Sequence, residues 1–144
     1  MRAFVGSWQF WALGAAVFAA LTAIFGKVGV SGINTDLATF IRTVVILAII
    51  ALVVTAGGEW RPLDEVSPKA WLFLILSGLA TGASWLCYFR ALQIGDAGQV
   101  APLDKLSVVM VAVFGAMFLG ERLSALNWLG VVLIAGGAVL VAVR

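Results

Sequence analysis

Histidine is absent from this sequence, and cysteine occurs once, at Cys87. The first absence excludes an imidazole base and an imidazole metal ligand. The second excludes an internal disulfide and any multi-cysteine metal site; a lone cysteine in an apolar segment reads as packing. Charge is scarce too. Charged residues make up 11% of the chain, against about 25% in an ordinary globular domain, too few to clothe a water-facing surface. The formal net charge of +2 is too weak for a nucleic-acid partner. With no metal-ligand cluster and no activated nucleophile, the residues assign no catalytic group, no metal and no cofactor, and the chain does not read as an enzyme.

What is present is apolar. Hydrophobic residues make up 63% of the 144 residues, against roughly 45–50% in a globular chain, and they fall in blocks about one bilayer long. A membrane-spanning helix needs about 20 largely apolar residues. Five candidates run over about 8–25, 37–56, 70–92, 100–119 and 125–143. The fold class is therefore an all-α polytopic membrane protein, one five-helix domain over 1–144. The first block is longer than a signal peptide's apolar core of about 7–15 residues, and four more follow, so it reads as a span. Helices are preferred to barrel strands because the runs are continuously apolar, whereas barrel strands alternate.

The punctuation fits. The first run ends at Gly26-Lys27-Val28-Gly29, and Gly32, Asn34 and Asp36 mark a turn with Asn34 or Asp36 as the N-cap. Gly57-Gly58 stops the second. The segment from Glu59 to Lys69 holds Pro62 and Pro68 and reads as a loop in water or at the headgroups. Gly95, Asp96 and Gly98 make the next turn, Pro102 falls in the first turn of the fourth helix, and Ser124 is the N-cap of the fifth. Gly78 and Gly82 form a GxxxG step, and Gly130, Gly136 and Gly137 line the last helix. Such small residues let helix backbones approach in lipid, either inside one protomer or across a dimer seam.

Five spans put the termini on opposite sides. Arg2, Arg61, Lys69 and Arg122 fall on one side, and Lys27, Arg42, Arg90, Lys105 and Arg144 on the other. Orientation follows a Lys/Arg excess, and neither side has one. Either both orientations insert and assemble as an antiparallel pair, or weaker details or a partner fix the orientation. Trp8, Trp11, Trp60, Trp71 and Trp128 gather near the N-terminal side, as an interfacial belt does.

The second and fourth spans carry the sharpest physical signal. Their uncharged runs, Thr43 to Ala56 and Leu106 to Leu119, cover only roughly 21 Å, short of the ~30 Å hydrocarbon core. To cross, the second must draw in Arg42, and the fourth Asp104 and Lys105. An unpaired charge near the bilayer centre costs at least about 2.5 kcal/mol. Either Arg42 and Asp104 approach each other or line one wet cavity, or the bilayer thins and the basic side chains snorkel. Asp104, with its short side chain, is the candidate for ion coupling. In the third span Ser77, Thr81, Ser84 and Tyr88 share one face, with Trp85 beside it and Arg90 at the end. This stripe fits a cavity wall for a small amphipathic solute or, alternatively, interhelical hydrogen bonding.

The stretches Tyr88-Phe89-Arg90-Ala91-Leu92-Gln93, Val100-Ala101-Pro102-Leu103 and Phe118-Leu119-Gly120-Glu121-Arg122-Leu123, followed by Trp128-Leu129-Gly130 and Leu133-Ile134-Ala135-Gly136-Gly137, resemble the EamA-type branch of the drug/metabolite transporter superfamily. The resemblance implies a transporter fold in the bacterial cytoplasmic membrane, carrying small metabolites, often outward. Family members usually hold two inverted five-helix units in one chain. This sequence holds one, which implies an inverted homodimer or a paired half. The partners are then the lipid bilayer, a small solute and a second unit. The cavity candidates Arg42, Trp85, Tyr88, Arg90, Asp104 and Lys105 come from the depth of the charges and the stripe on the third span; Asp104-Lys105 is no general mark of the family. The other reading is an accessory or assembly subunit of a different membrane complex, with the buried charges as its pairing sites. Gly120-Glu121-Arg122, at a helix end, reads as structural.

Overall fold

The computed structural model describes residues 7–143, so Arg2 and Arg144 lie outside the described residues. Within them the chain is helical, with no strand. Helix α1 covers Trp8–Gly29, α2 Thr35–Ala56, a single 3-10 turn Leu63–Glu65, α3 Pro68–Ile94, α4 Ala97–Asp104, α5 Ser107–Phe114, a π turn Gly115–Leu119, and α6 Ala125–Ala142. Together α4, α5 and the π turn make one span, Ala97–Leu119, so the described residues hold five spans of 18 to 27 residues. At 1.5 Å per residue these are about 27 to 40 Å long, enough for a ~30 Å hydrocarbon core. The protein is an integral, multi-pass membrane protein.

Exposure agrees with a lipid surround. Mid-span residues Leu47, Leu79 and Val111 are 67–68% exposed, whereas among the described residues the buried apolar side chains are Ala23, Val30, Ala38, Phe89, Leu92 and Ala138. In water such a surface would be intolerable. In lipid, apolar exposure costs nothing and the backbone is the group that must be satisfied, which the helices do internally.

The ends are closed by side chains and glycines. Asn34 is the N-cap of α2, its Oδ1 accepting from the backbone N–H groups of Asp36 at 2.8 Å and Leu37 at 3.1 Å. Ser124 caps α6, accepting from Asn127 N at 3.2 Å. Helix α2 ends in a Schellman turn: Gly58 takes φ 62, Glu59 N donates to Val54 O at 3.0 Å and Gly58 N to Thr55 O at 3.1 Å. Helix α1 runs past Gly26 to Gly29 instead of stopping near Phe25, because the left-handed position is Gly32, with φ 82. Helix α3 is likewise longer at both ends than the apolar run suggests, since Pro68 opens it as a first-turn proline.

The fourth span departs most from the simple reading. It begins at Ala97, so Pro102 sits inside α4 and not in its first turn. The proline removes one i→i−4 bond and crowds the preceding turn. The helix ends two residues later, at Asp104, and restarts at Ser107. Across the break the bonds tighten to three residues: Lys105 N to Pro102 O, Leu106 N to Leu103 O, Val108 N to Lys105 O and Val109 N to Leu106 O, all 2.9–3.0 Å.

By contacts the chain forms two compact units, Gly29–Gln93 and Met1–Val28 with Ile94–Arg144. In the first, α2 and α3 run antiparallel, as the pairs Ile33 with Gln93, Asp36 with Arg90 and Arg42 with Trp85 require. In the second, α4 and α5 pack along α6, and Lys27 Nζ, in the last turn of α1, donates to Gly95 O at 2.8 Å.

Gly120 ends the π turn with φ 69, a conformation that costs an L-residue about 1–2 kcal/mol. Gly120→Ala is expected to lower the thermal unfolding midpoint in detergent. Gly14→Ala, at a helical glycine whose added Cβ meets nothing within 4 Å, is expected not to lower it.

Candidate functional site

Charged and aromatic side chains converge in the unit Gly29–Gln93. Helix α2 carries Thr35, Ala38, Thr39 and Arg42 at i, i+3, i+4 and i+7, one face of a helix. Thr35, Ala38 and Thr39 are buried. Thr39 and Thr43 donate their hydroxyl protons to the carbonyls of Thr35 and Thr39, each at 2.8 Å. Helix α3 carries Trp85, Tyr88, Phe89 and Leu92 at the same spacing, with Phe89 and Leu92 buried and Trp85 and Tyr88 half-buried.

Arg42 crosses from the first face to the second. Its guanidinium lies over the Trp85 ring and 5.4 Å from the Phe89 centroid, inside the ~6 Å reach of a cation–π contact. The two rings stack, with centroids 6.2 Å apart and planes 20° from parallel. Delocalised charge and weak hydration make arginine, more than lysine, suited to such a dry aromatic bed. Arg42 Nη1 is nevertheless buried with no hydrogen-bond partner. A buried donor left unmade costs about 1–3 kcal/mol, more if charged. The stack therefore compensates the charge only in part.

The other sequence-predicted residues fall in two places. Arg90, at the end of α3, pairs with Asp36 at 3.5 Å, and both side chains are more than half exposed. Beside it Gln93 Nε2 donates to Ile33 O at 3.2 Å. Exposed pairs of this kind contribute about 0–1 kcal/mol, so they fasten the hairpin end loosely. Asp104 and Lys105 sit at the break in the fourth span and pair with each other at 3.2 Å. Arg42 is the eighth residue of α2 and Asp104 the eighth of its span, so each lies about 10 Å in from the helix start. Of the polar stripe on α3, Ser77, Thr81 and Ser84 are exposed, with Thr81 donating to Ser77 O at 2.8 Å. Sequence reasoning does not single out Phe89. Its signal is the four-residue step from Trp85, which puts it on the same face.

Glu121 has a structural role. Its backbone N–H shares Gly115 O with that of Gly120. Its side chain folds over buried Gly115, where an added Cβ would stand 2.7 Å from Oε2. Among the described residues no His, Cys, Asp and Glu group is placed to hold a metal.

The five apolar spans define an integral membrane protein, and the family match gives its class, a membrane transporter. Residues 6–143 match the EamA-like transporter family, and the chain belongs to that family. It is 67% identical over 137 residues to an uncharacterized transporter in the cobO 3' region of Sinorhizobium sp, a match covering 95% of this chain and 97% of the relative. It is 27% identical over 141 residues to the uncharacterized transporter YxxF of Bacillus subtilis, covering 97% of this chain but 44% of the relative. An uncharacterized transporter of Vibrio cholerae is 26% identical over 98 residues, 67% of this chain and 32% of the relative. The chain thus spans nearly all of one relative and less than half of the other two. No solved structure matches it.

A double-mutant cycle of Arg42→Met and Trp85→Leu, read from unfolding in detergent, is expected to give a coupling of about 0.5–2 kcal/mol. A coupling of zero would mean that the stack contributes nothing.

Proposed function

We propose that the chain is a secondary transporter that exports a small metabolite across the bacterial cytoplasmic membrane, working as a pair of five-helix units. The observation that carries this is the break in the fourth span after Pro102, with Asp104 at its edge and Lys105 in it. Inverted-repeat carriers build their solute and ion sites from interrupted helices, because irregular backbone and charge are tolerated at membrane depth only where they face a cavity or protein. In this reading Arg42, Trp85, Tyr88, Arg90 and Lys105 belong to the solute path, Asp104 is the coupling carboxylate, and the two compact units form one EamA domain.

Pairing is supported by the lengths of the relatives. One domain accounts for nearly all of the Sinorhizobium relative and for less than half of the Bacillus one, as expected if two domains act together, either fused or as separate chains. The balanced Lys/Arg count supports an inverted homodimer.

Two measurements test this. Reporter fusions at each end of the chain are expected to show both orientations; a single orientation would count against the inverted pair. In proteoliposomes screened with small metabolites, Asp104→Asn is expected to cut gradient-driven flux at least about tenfold, a barrier change of roughly 1.4 kcal/mol, while leaving the unfolding midpoint unchanged. Equal flux would remove Asp104 from coupling. Native mass spectrometry, or crosslinking through exposed Cys87, separates a homodimer from a hetero-complex, which would favour an accessory subunit.

A further inference from the structure

We infer that the Arg42 nest is a receptor for a single carboxylate on a small solute with an apolar body, an assignment of substrate class that rests on the transporter reading above. Arg42 Nη1 is a buried donor with no hydrogen-bond partner. The carboxylates of its own unit do not supply one. Asp36 is taken by Arg90. Glu59, Asp64 and Glu65 lie beyond Ala56, roughly 20 Å further along the helix.

The geometry selects the ligand. Trp85 covers a face of the guanidinium, so its N–H donors lie at the edge of the stack, in the guanidinium plane, and the unpartnered Nη1 among them is enclosed by protein. A planar carboxylate matches such a fork, and charge-assisted bonds to it are the strong ones. The guanidinium is the cationic group here, and the side chains placed against it are the rings of Trp85 and Phe89. An apolar body fits these walls, whereas a second negative charge would meet aromatic faces, which are themselves electronegative.

Depth separates a solute from a lipid headgroup. Arg42 is the eighth residue of α2, about 10 Å in, and Trp85 is nine residues before Ile94, about 13 Å from that end. Arginine near a helix end usually snorkels toward the headgroups. This one lies on an indole inside the span.

The test uses the full chain in nanodiscs and two acid–amide pairs, phenylacetate with phenylacetamide and propionate with propionamide. The acids are expected to raise the thermal midpoint and the amides not to, in phosphatidylcholine and in phosphatidylglycerol alike. Arg42→Gln is expected to weaken acid binding at least tenfold, and Arg42→Lys, which keeps charge but loses the fork, several-fold. The proposal is overturned if acid and amide act equally, if neither acid binds, if folded Arg42→Gln binds the acids as well as the wild type, or if phosphatidylglycerol alone replaces the acids' effect. Should Arg42→Gln not fold, the acid–amide contrast in the wild type still decides. The proteoliposome screen separates the two readings. Acid binding at Arg42 with no flux of any solute leaves this proposal standing and removes the transporter. Equal flux of neutral or cationic solutes by wild type and Arg42→Gln does the reverse.

Discussion

Everything in this protein follows from what hydrocarbon refuses to do. It neither donates nor accepts a hydrogen bond, so each crossing segment must satisfy its own backbone. That constraint explains why leucines and valines stand outward in mid-span without cost, and why the care in the sequence is spent at the ends. Asn34, Ser124 and the Gly57-Gly58 pair each close an opening through which a helix would otherwise present bare polar groups. It also explains why the one interrupted span matters. Three-residue bonds around Lys105 stand where four-residue bonds would run in an unbroken helix, so the chain keeps its backbone satisfied through the break.

Charge inside such a structure is handled by two different means. Arg42 is laid on aromatic rings, which answer in part for the water its guanidinium gives up. Asp104 and Lys105 answer each other across one peptide bond. The first arrangement fixes an orientation and leaves a donor unmade; the second neutralises and leaves both groups accessible.

Much of this is legible in the sequence, and the part that is not has a physical reason. Apolar runs one bilayer long give the five spans, because length and hydropathy alone decide whether a segment can cross. The caps Asn34 and Ser124 are legible because side-chain acceptors at helix starts act locally. The charges Arg42, Asp104 and Lys105 stand out by counting residues against bilayer thickness. The bed of Trp85 and Phe89 under Arg42 is not legible, since it depends on how two helices face each other to bring together residues more than forty positions apart. The break is half legible: Pro102 is visible, but its effect depends on the helix starting at Ala97 and not at Val100, three residues that turn a tolerated first-turn proline into an internal one.

The π turn at Gly115–Leu119 has its own consequence for the faces of the fourth span. A wider loop of backbone takes in one residue more than an α turn while climbing no further, so the angular count slips by about 100° at that point. Side chains before Gly115 and after it are therefore out of phase with any single helical wheel. Met117, Phe118 and Leu119, all exposed, belong to this shifted stretch, whose faces are offset from those of the residues before Gly115.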